Sequence, residues 1–288
     1  MSERDIDDIS GVETTGHEWD GIKELNNPLP RWWLWTFYIC IIWAFGYMIA
    51  MPAIPLIKGA TPGLLGYSSR GDVANKIAEA KLEQAEFIDR IASMDVGDII
   101  ADEELSRFAR AGGQAAFKVN CTQCHGSGAQ GALGFPNLND DEWLWGGTID
   151  DIYTTISHGI RYESDLDTRL SEMSSFGTDE LLTRDEISVV ARYATFLGGF
   201  EGGEDTTEGQ ELFLDNCSAC HGDAGEGGTF VGAPALNNAI FQYAGSLEAI
   251  TSQVNSPQHG IMPAWGAKLG DATVKQLAVY VHSLGGGQ

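Results

Sequence analysis

Two pentads hold the residues of this sequence best suited to chemistry: Cys121-Thr122-Gln123-Cys124-His125 and Cys217-Ser218-Ala219-Cys220-His221. Two thiols one helical turn apart suit two thioether bonds to the vinyl groups of a porphyrin. A histidine directly after the second thiol brings an imidazole to one face of the iron. Each pentad supplies all three groups. Two CxxC pairs could instead build one zinc site of four thiolates, and a lone CxxC could be a redox dithiol. Against zinc, each second cysteine is followed by His and then Gly, and the pairs stand 96 residues apart (Cys121 to Cys217), far wider than a ribbon's spacing. The expectation is therefore two covalently bound haem c groups, held by Cys121, Cys124, Cys217 and Cys220, with His125 and His221 as axial ligands.

The second face of each iron needs a ligand. Met262 stands in Ile261-Met262-Pro263-Ala264-Trp265-Gly266, about 40 residues after the second pentad. Proline stiffens a loop that presents a sulfur, and thioether ligation raises the reduction potential relative to two imidazoles. The counterpart is Met173, in Glu172-Met173-Ser174-Ser175-Phe176-Gly177, which shares Met-x-x-aromatic-Gly but has serine in place of proline. His158 is the rival there. Its equivalent, His259, sits only three residues before Met262, so His158 reads as structural or as a haem-edge residue. Which methionine meets which iron is open: ligation within each half is the default, and two packed lobes could exchange their loops. Pro136 and Pro234 follow the pentads at similar distances, where a carbonyl can accept from the axial imidazole's other nitrogen. Arg161 could pair with a haem propionate or be solvated.

The elements that must position these groups recur. Gly113-x3-Phe117-x3-Cys121 matches Gly209-x3-Phe213-x3-Cys217, and spacing by four places Gly and Phe on one helical face. Tyr193-x3-Leu197-Gly198-Gly199 matches Tyr280-x3-Leu284-Gly285-Gly286, two amphipathic helices stopped by Gly-Gly. Thr183-x-x-Glu186 and Thr207-x-x-Gln210 read as caps, and Asp271 as another. This succession resembles the cytochrome c fold, whose first and last helices cross at that glycine. Residues 101–200 are expected to form a first such domain, 201–207 a linker and 208–288 a second.

Trp32 to Met51 is a run of 20 uncharged residues, as a helix about 30 Å long and so enough to cross a membrane. Trp32, Trp33, Trp35 and Tyr47 suit the headgroup level. The 31 residues before it hold eight acids and three bases, wrong for the basic start of an export signal. The expected layout is a cytoplasmic segment 1–31, a transmembrane helix 32–55, and a loop and connecting helix in 56–100. That helix would run from Asp72 to about Met94 with a Glu86–Arg90 pair. Cys40, in the apolar run, reads as a small buried hydrophobe. Haem c is attached on the outer face, which puts the haem domains in the periplasm of a bacterial inner membrane.

The net charge is −24, and residues 100–288 hold 26 acids and 9 bases, a net of −17. That excludes a nucleic-acid partner and suits one with a positive face, steered electrostatically.

From Asp20-Gly21-Ile22 through Asn26-Asn27-Pro28-Leu29-Pro30-Arg31-Trp32-Trp33, abutting the span, and across both pentads, the chain resembles the membrane-anchored dihaem cytochrome c subunit (subunit III) of cbb3-type cytochrome c oxidases. Met173-Ser174 is the departure from that pattern. The resemblance implies a mainly α protein with one N-terminal transmembrane helix and two tandem cytochrome c-type domains. It implies electron transfer from a periplasmic donor cytochrome c, through a monohaem partner subunit, to a catalytic subunit with haem b and copper that reduces oxygen. The chain's span holds no cluster of histidines for that oxygen chemistry. The alternatives are a free-standing anchored electron shuttle and a dihaem peroxidase.

Overall fold

The computed structural model describes residues 5–287. The chain divides into two compact units, one ending at Glu83 and one beginning at Gln84.

In the first unit, β1 (Thr14–Trp19) and β2 (Ile22–Leu25) pair antiparallel. The hairpin turns on Asp20 and Gly21, at φ 51° and 80°. Two successive positive φ values give the turn whose twist matches the strands, which is why Asp-Gly stands there. Helix α1 spans Arg31–Ala50 and has no buried residue. It is long and apolar enough to cross a membrane. It ends five residues short of the expected 55, because a residue before proline is driven out of the helical region: Met51, ahead of Pro52, is extended at φ −113° and ψ 159°. Cys40 is exposed on α1 rather than packed in a core. A short hairpin, β3 (Pro55–Leu56) with β4 (Gly59–Ala60), follows.

Helix α2 (Ser69–Ser93) starts before Asp72, which lies in its first turn and pairs with Lys76 at 3.0 Å. Its expected apolar stripe is buried only toward the C-terminal end. Val73 and Ile77 are exposed, whereas Ile91 is fully buried and Phe87 stacks on Phe108, centroids 4.7 Å apart. Arg90 does not turn to Glu86. It pairs at 2.5 Å with Asp102, whose other oxygen caps the next long helix by accepting from the N–H groups of Glu104 and Leu105.

The second unit contains α3 (Val96–Ala101), α4 (Glu103–Asn120), α5 (Thr122–His125), α6 (Ile149–His158) and α7 (Arg184–Leu197). They are followed by α8 (Thr207–Asn216), α9 (Ser218–His221), α10 (Leu247–Asn255), α11 (Gly266–Leu269) and α12 (Asp271–His282). Thr183 and Glu186 form the expected capping box. The cap of α8 is Thr206, one residue earlier than expected, and Gly270 rather than Asp271 precedes α12.

The helices pair across the halves of the sequence. α4 packs against α12, and α7 against α8. Phe117 meets Tyr280 with centroids 5.4 Å apart, and a Cβ on Gly113 would strike the Gln276 carbonyl and lie 2.7 Å from the Tyr280 Cβ. In the other crossing Tyr193 meets Phe213 at 5.6 Å, and Gly209 lies under the Tyr193 Cβ. The predicted crossing of a Gly/Phe helix with a terminal Tyr helix is present twice, but each takes its partner from the other half. The boundaries 101–200 and 208–288 are therefore segments of sequence rather than separate bodies. The reason is chain length. Only residues 198–206 join α7 to α8, and helices joined by so short a link pack on each other. That leaves α12 to close over α4. One hydrophobic cluster accordingly joins Leu105, Phe117, Val274 and Leu277, and another joins Val190, Tyr193, Phe213 and Val254. Each such large side chain contributes roughly 1.5–3 kcal/mol on burial.

Candidate haem sites

Each pentad sits where its first helix ends. The Cys121 N–H still bonds to Phe117 and the Cys217 N–H to Phe213, and each is followed by one more helical turn. That turn carries the histidine, and glycine at φ 79° (Gly126, Gly222) ends it. The second thiols, Cys124 and Cys220, are exposed, and the first, Cys121 and Cys217, are partly covered.

The cavity above Cys121 and His125 is lined by Phe117, Trp145, Leu277 and Met262. The cavity above Cys217, Cys220 and His221 is lined by Phe213, Val190 and Met173. Each cavity brings one pentad histidine together with one methionine, but not by the default pairing within each half: Met262 lines the His125 cavity and Met173 the His221 cavity, the exchange of loops left open above. The Met262 loop is stitched to the end of α6: Ile160 N–H donates to the Met262 carbonyl at 2.9 Å, and Met262 N–H to the Ile160 carbonyl at 3.0 Å. Gly159, at φ 70°, makes room, since a Cβ there would collide with the Met262 carbonyl. Reciprocally, the Met173 loop is stitched to the second half. Met173 N–H donates to His259 Nε2 at 3.0 Å, and Gly177 and Thr178 N–H both donate to the Asn255 carbonyl at 3.1 Å.

Both expected proline contacts are present. His125 Nδ1 lies 3.0 Å from the Pro136 carbonyl and His221 Nδ1 2.9 Å from that of Pro234. A carbonyl only accepts, so each Nδ1 carries the proton and donates, leaving Nε2 as the free lone pair. Burial holds both imidazoles below their ordinary pKa, against a smaller opposing effect of the carbonyls. Burial, with the neighbouring second thiol, pushes the Cys121 and Cys217 thiols up to about 11. Both cavities thus offer neutral imidazoles and thiols; the walls of the first are almost wholly apolar, and those of the second are mainly apolar with Arg161 and Glu172 among them. That donor set fits a covalently attached haem with histidine on one face and a thioether on the other. It does not fit zinc, because the two thiol pairs lie at different cavities.

His158, the rival ligand, lines neither cavity. Its Nδ1 sits 3.2 Å from an Asp165 oxygen. Arg161 lines the second cavity, where its Nε donates to the Gly260 carbonyl and its Nη1 to the Ser171 carbonyl, both at 2.8 Å. Trp145 and Arg169 were not foreseen. The Trp145 indole walls the first cavity, abuts Gly232 of the second lobe, and lies under the Arg169 guanidinium at 5.4 Å. Arg169 Nε is buried without a partner among the described residues. No periodic pattern marked either residue.

The profile of the family described as "Cytochrome C oxidase, cbb3-type, subunit III" matches residues 109–193 and 204–281, and that described as "N-terminal domain of cytochrome oxidase-cbb3, FixP" matches 11–58. The chain is 55% identical over 290 residues to the "Cbb3-type cytochrome c oxidase subunit FixPc" of Rhizobium leguminosarum bv. viciae, covering all of both chains. It is 50% identical to subunit CcoP of Azospirillum sp. (strain B510), again over the full length of both. It is 49% identical to that of Cereibacter sphaeroides, over 96% of this chain and 95% of the relative. Matched over most of its length by the family profile and over all of it by a relative 55% identical, the chain belongs to the subunit III family of cbb3-type cytochrome c oxidases.

Proposed function

We propose that this chain is the membrane-anchored dihaem electron-transfer subunit of a cbb3 oxidase, with no catalytic activity of its own. Its haem lobes face the periplasm. It receives electrons from a soluble donor cytochrome c and passes them, through a monohaem subunit, to the haem b and copper subunit that reduces oxygen. The observation that carries this reading is the closing of each pentad cavity by one methionine: Met262 over His125 and Met173 over His221. When bound, haem supplies a reversible one-electron centre. The protein's residues do the rest. Cys121, Cys124, Cys217 and Cys220 attach the porphyrins. His125 and His221 present Nε2, held in place by the proline carbonyls. Met173 and Met262, which line the same cavities, would supply thioethers as the second ligands, and an iron so held would have no site to offer peroxide, which argues against the peroxidase reading.

The test is the purified oxidase complex. It should carry two haems on this chain that survive denaturation, and copper and haem b in fixed ratio to them. Met262→Leu and Met173→Leu should each weaken the sulfur-to-iron band of the complex. Covalent haem on one pentad only, an unchanged band in both variants, or peroxide turnover by the isolated subunit would overturn the reading.

A further inference from the structure

Arg161 has features that the electron-transfer role does not by itself explain. It is a non-glycine residue at φ 51°, a left-handed conformation that brings a residue's own Cβ too close to the backbone carbonyl. The neighbouring backbone fixes it there, through Arg161 N–H to the Arg169 carbonyl at 2.9 Å. No carboxylate lies within ion-pair distance of its guanidinium among the described residues. Burial lowers its pKa, against smaller opposing effects of Tyr243 and Glu172.

Its two hydrogen bonds go to two different loops. The Nε partner, Gly260, stands two residues before Met262, and the Nη1 partner, Ser171, two residues before Met173. Both bonds are 2.8 Å long and both come from a rigid planar cation. Its own neighbour, Ile160, makes the two-bond ladder to Met262. One side chain therefore spans the carbonyl stems of both methionine loops. We propose that Arg161 is a positioning residue common to the two haem sites, a strut that sets how Met173 is presented to the His221 cavity and Met262 to the His125 cavity. The inference rests on the crossed methionine assignment above. The placing of the two loops by one group means that loosening at one site loosens the other.

The test uses the purified complex with Arg161→Gln and Arg161→Lys, and Arg192→Gln as control, since the Arg192 guanidinium pairs with Glu204, another partly exposed side chain, at 2.8 Å. Added imidazole competes with a methionine for oxidised haem, so its affinity at each haem reports how firmly each loop holds its sulfur. Loss of one charge-assisted bond per loop predicts roughly ten-fold tighter imidazole binding at both haems in Arg161→Gln. Hydrogen exchange at the Met173 and Met262 amides should quicken together. Arg161→Lys, which reaches one carbonyl at a time, should fall between. If Arg161→Gln does not assemble, Arg161→Lys carries the same two-haem criterion. A change at one haem only, or behaviour equal to Arg192→Gln, overturns the strut. If Met173→Leu and Met262→Leu leave the sulfur band intact, it is the ligand assignment that fails instead.

Discussion

The Ile160 carbonyl and the Met262 amide are joined at 3.0 Å, and the Met262 carbonyl and the Ile160 amide at 2.9 Å, so the loop that closes the chain's second half is welded to the end of a helix in its first. The consequence is a crossed neighbourhood for each sulfur. With methyl-labelled methionine in the purified protein, the Met262 methyl should show through-space contacts with Phe117 and Leu277. The Met173 methyl should show them with Phe213 and Val190, since these side chains line the respective cavities. Contacts of Met262 with Phe213 would restore a simple tandem arrangement.

Much of the chemistry was legible because it is local. The thiol–thiol–imidazole pentads and the Thr183–Glu186 capping box act within five residues, where spacing dictates geometry, and the carbonyls of Pro136 and Pro234 reach their histidines across only 11 and 13 residues. The Gly113/Phe117 and Tyr280 face was also legible as one half of a helix crossing. The choice of partner was not, because Tyr193 and Tyr280 carry the same pattern and either could meet either glycine. The short link 198–206 decided it, and a periodicity argument does not weigh link length. Trp145 escaped for a related reason, and so did the bonds of Arg161 to Gly260 and Ser171, although Arg161 itself was singled out: each joins segments that no spacing rule connects.

The α4–α12 crossing can be probed at Gly113. A Cβ there falls on the Gln276 backbone, which has no flexible end to swing aside. Gly113→Val should cost about 1–3 kcal/mol by overpacking. The loss should appear first at the Cys121–His125 site, although half of the crossing lies at the far end of the chain. Chemical denaturation followed at each haem's absorption checks this. Equal loss at both sites, or loss confined to the Cys217 site, contradicts the pairing of α4 with α12.

Trp145 and Gly232 join the lobes. Gly232 sits at φ 65°, and a Cβ there would run into the indole. Gly232→Ala therefore meets two penalties: about 1–2 kcal/mol for a left-handed alanine and the collision with Trp145. Trp145→Leu alone opens the first cavity and should destabilise by about 2–4 kcal/mol, within the range for shrinking a buried large side chain. In the double variant the collision is gone. The two changes should then cost less together than their sum, by about 0.5–3 kcal/mol in a double-mutant cycle. Strict additivity would place these residues out of contact.

Asp271 gives the α6–α12 packing a pH dependence. Its Oδ1 accepts from the Tyr153 hydroxyl at 2.6 Å, and its Oδ2 lies 2.8 Å from Lys275 Nζ. Lys275 also donates to the Ala92 and Met94 carbonyls at 3.0 and 2.8 Å, so this one cluster ties α2, α6 and α12 together. Burial alone would raise the Asp271 pKa, but the bonds from Lys275 and Tyr153 outweigh it and hold the carboxyl below its ordinary 3.8. A carboxylate depressed on folding stabilises the fold above its unfolded pKa, and that contribution is lost as pH falls through the folded value. Asp271→Asn should therefore be less stable than the parent at pH 7. The gap should narrow steadily as the pH is lowered past about 4 and close once both carry a neutral side chain. Denaturant midpoints for the two proteins measured across that range decide the point. A gap that stays constant with pH would mean that the Asp271 charge contributes nothing to holding these helices together.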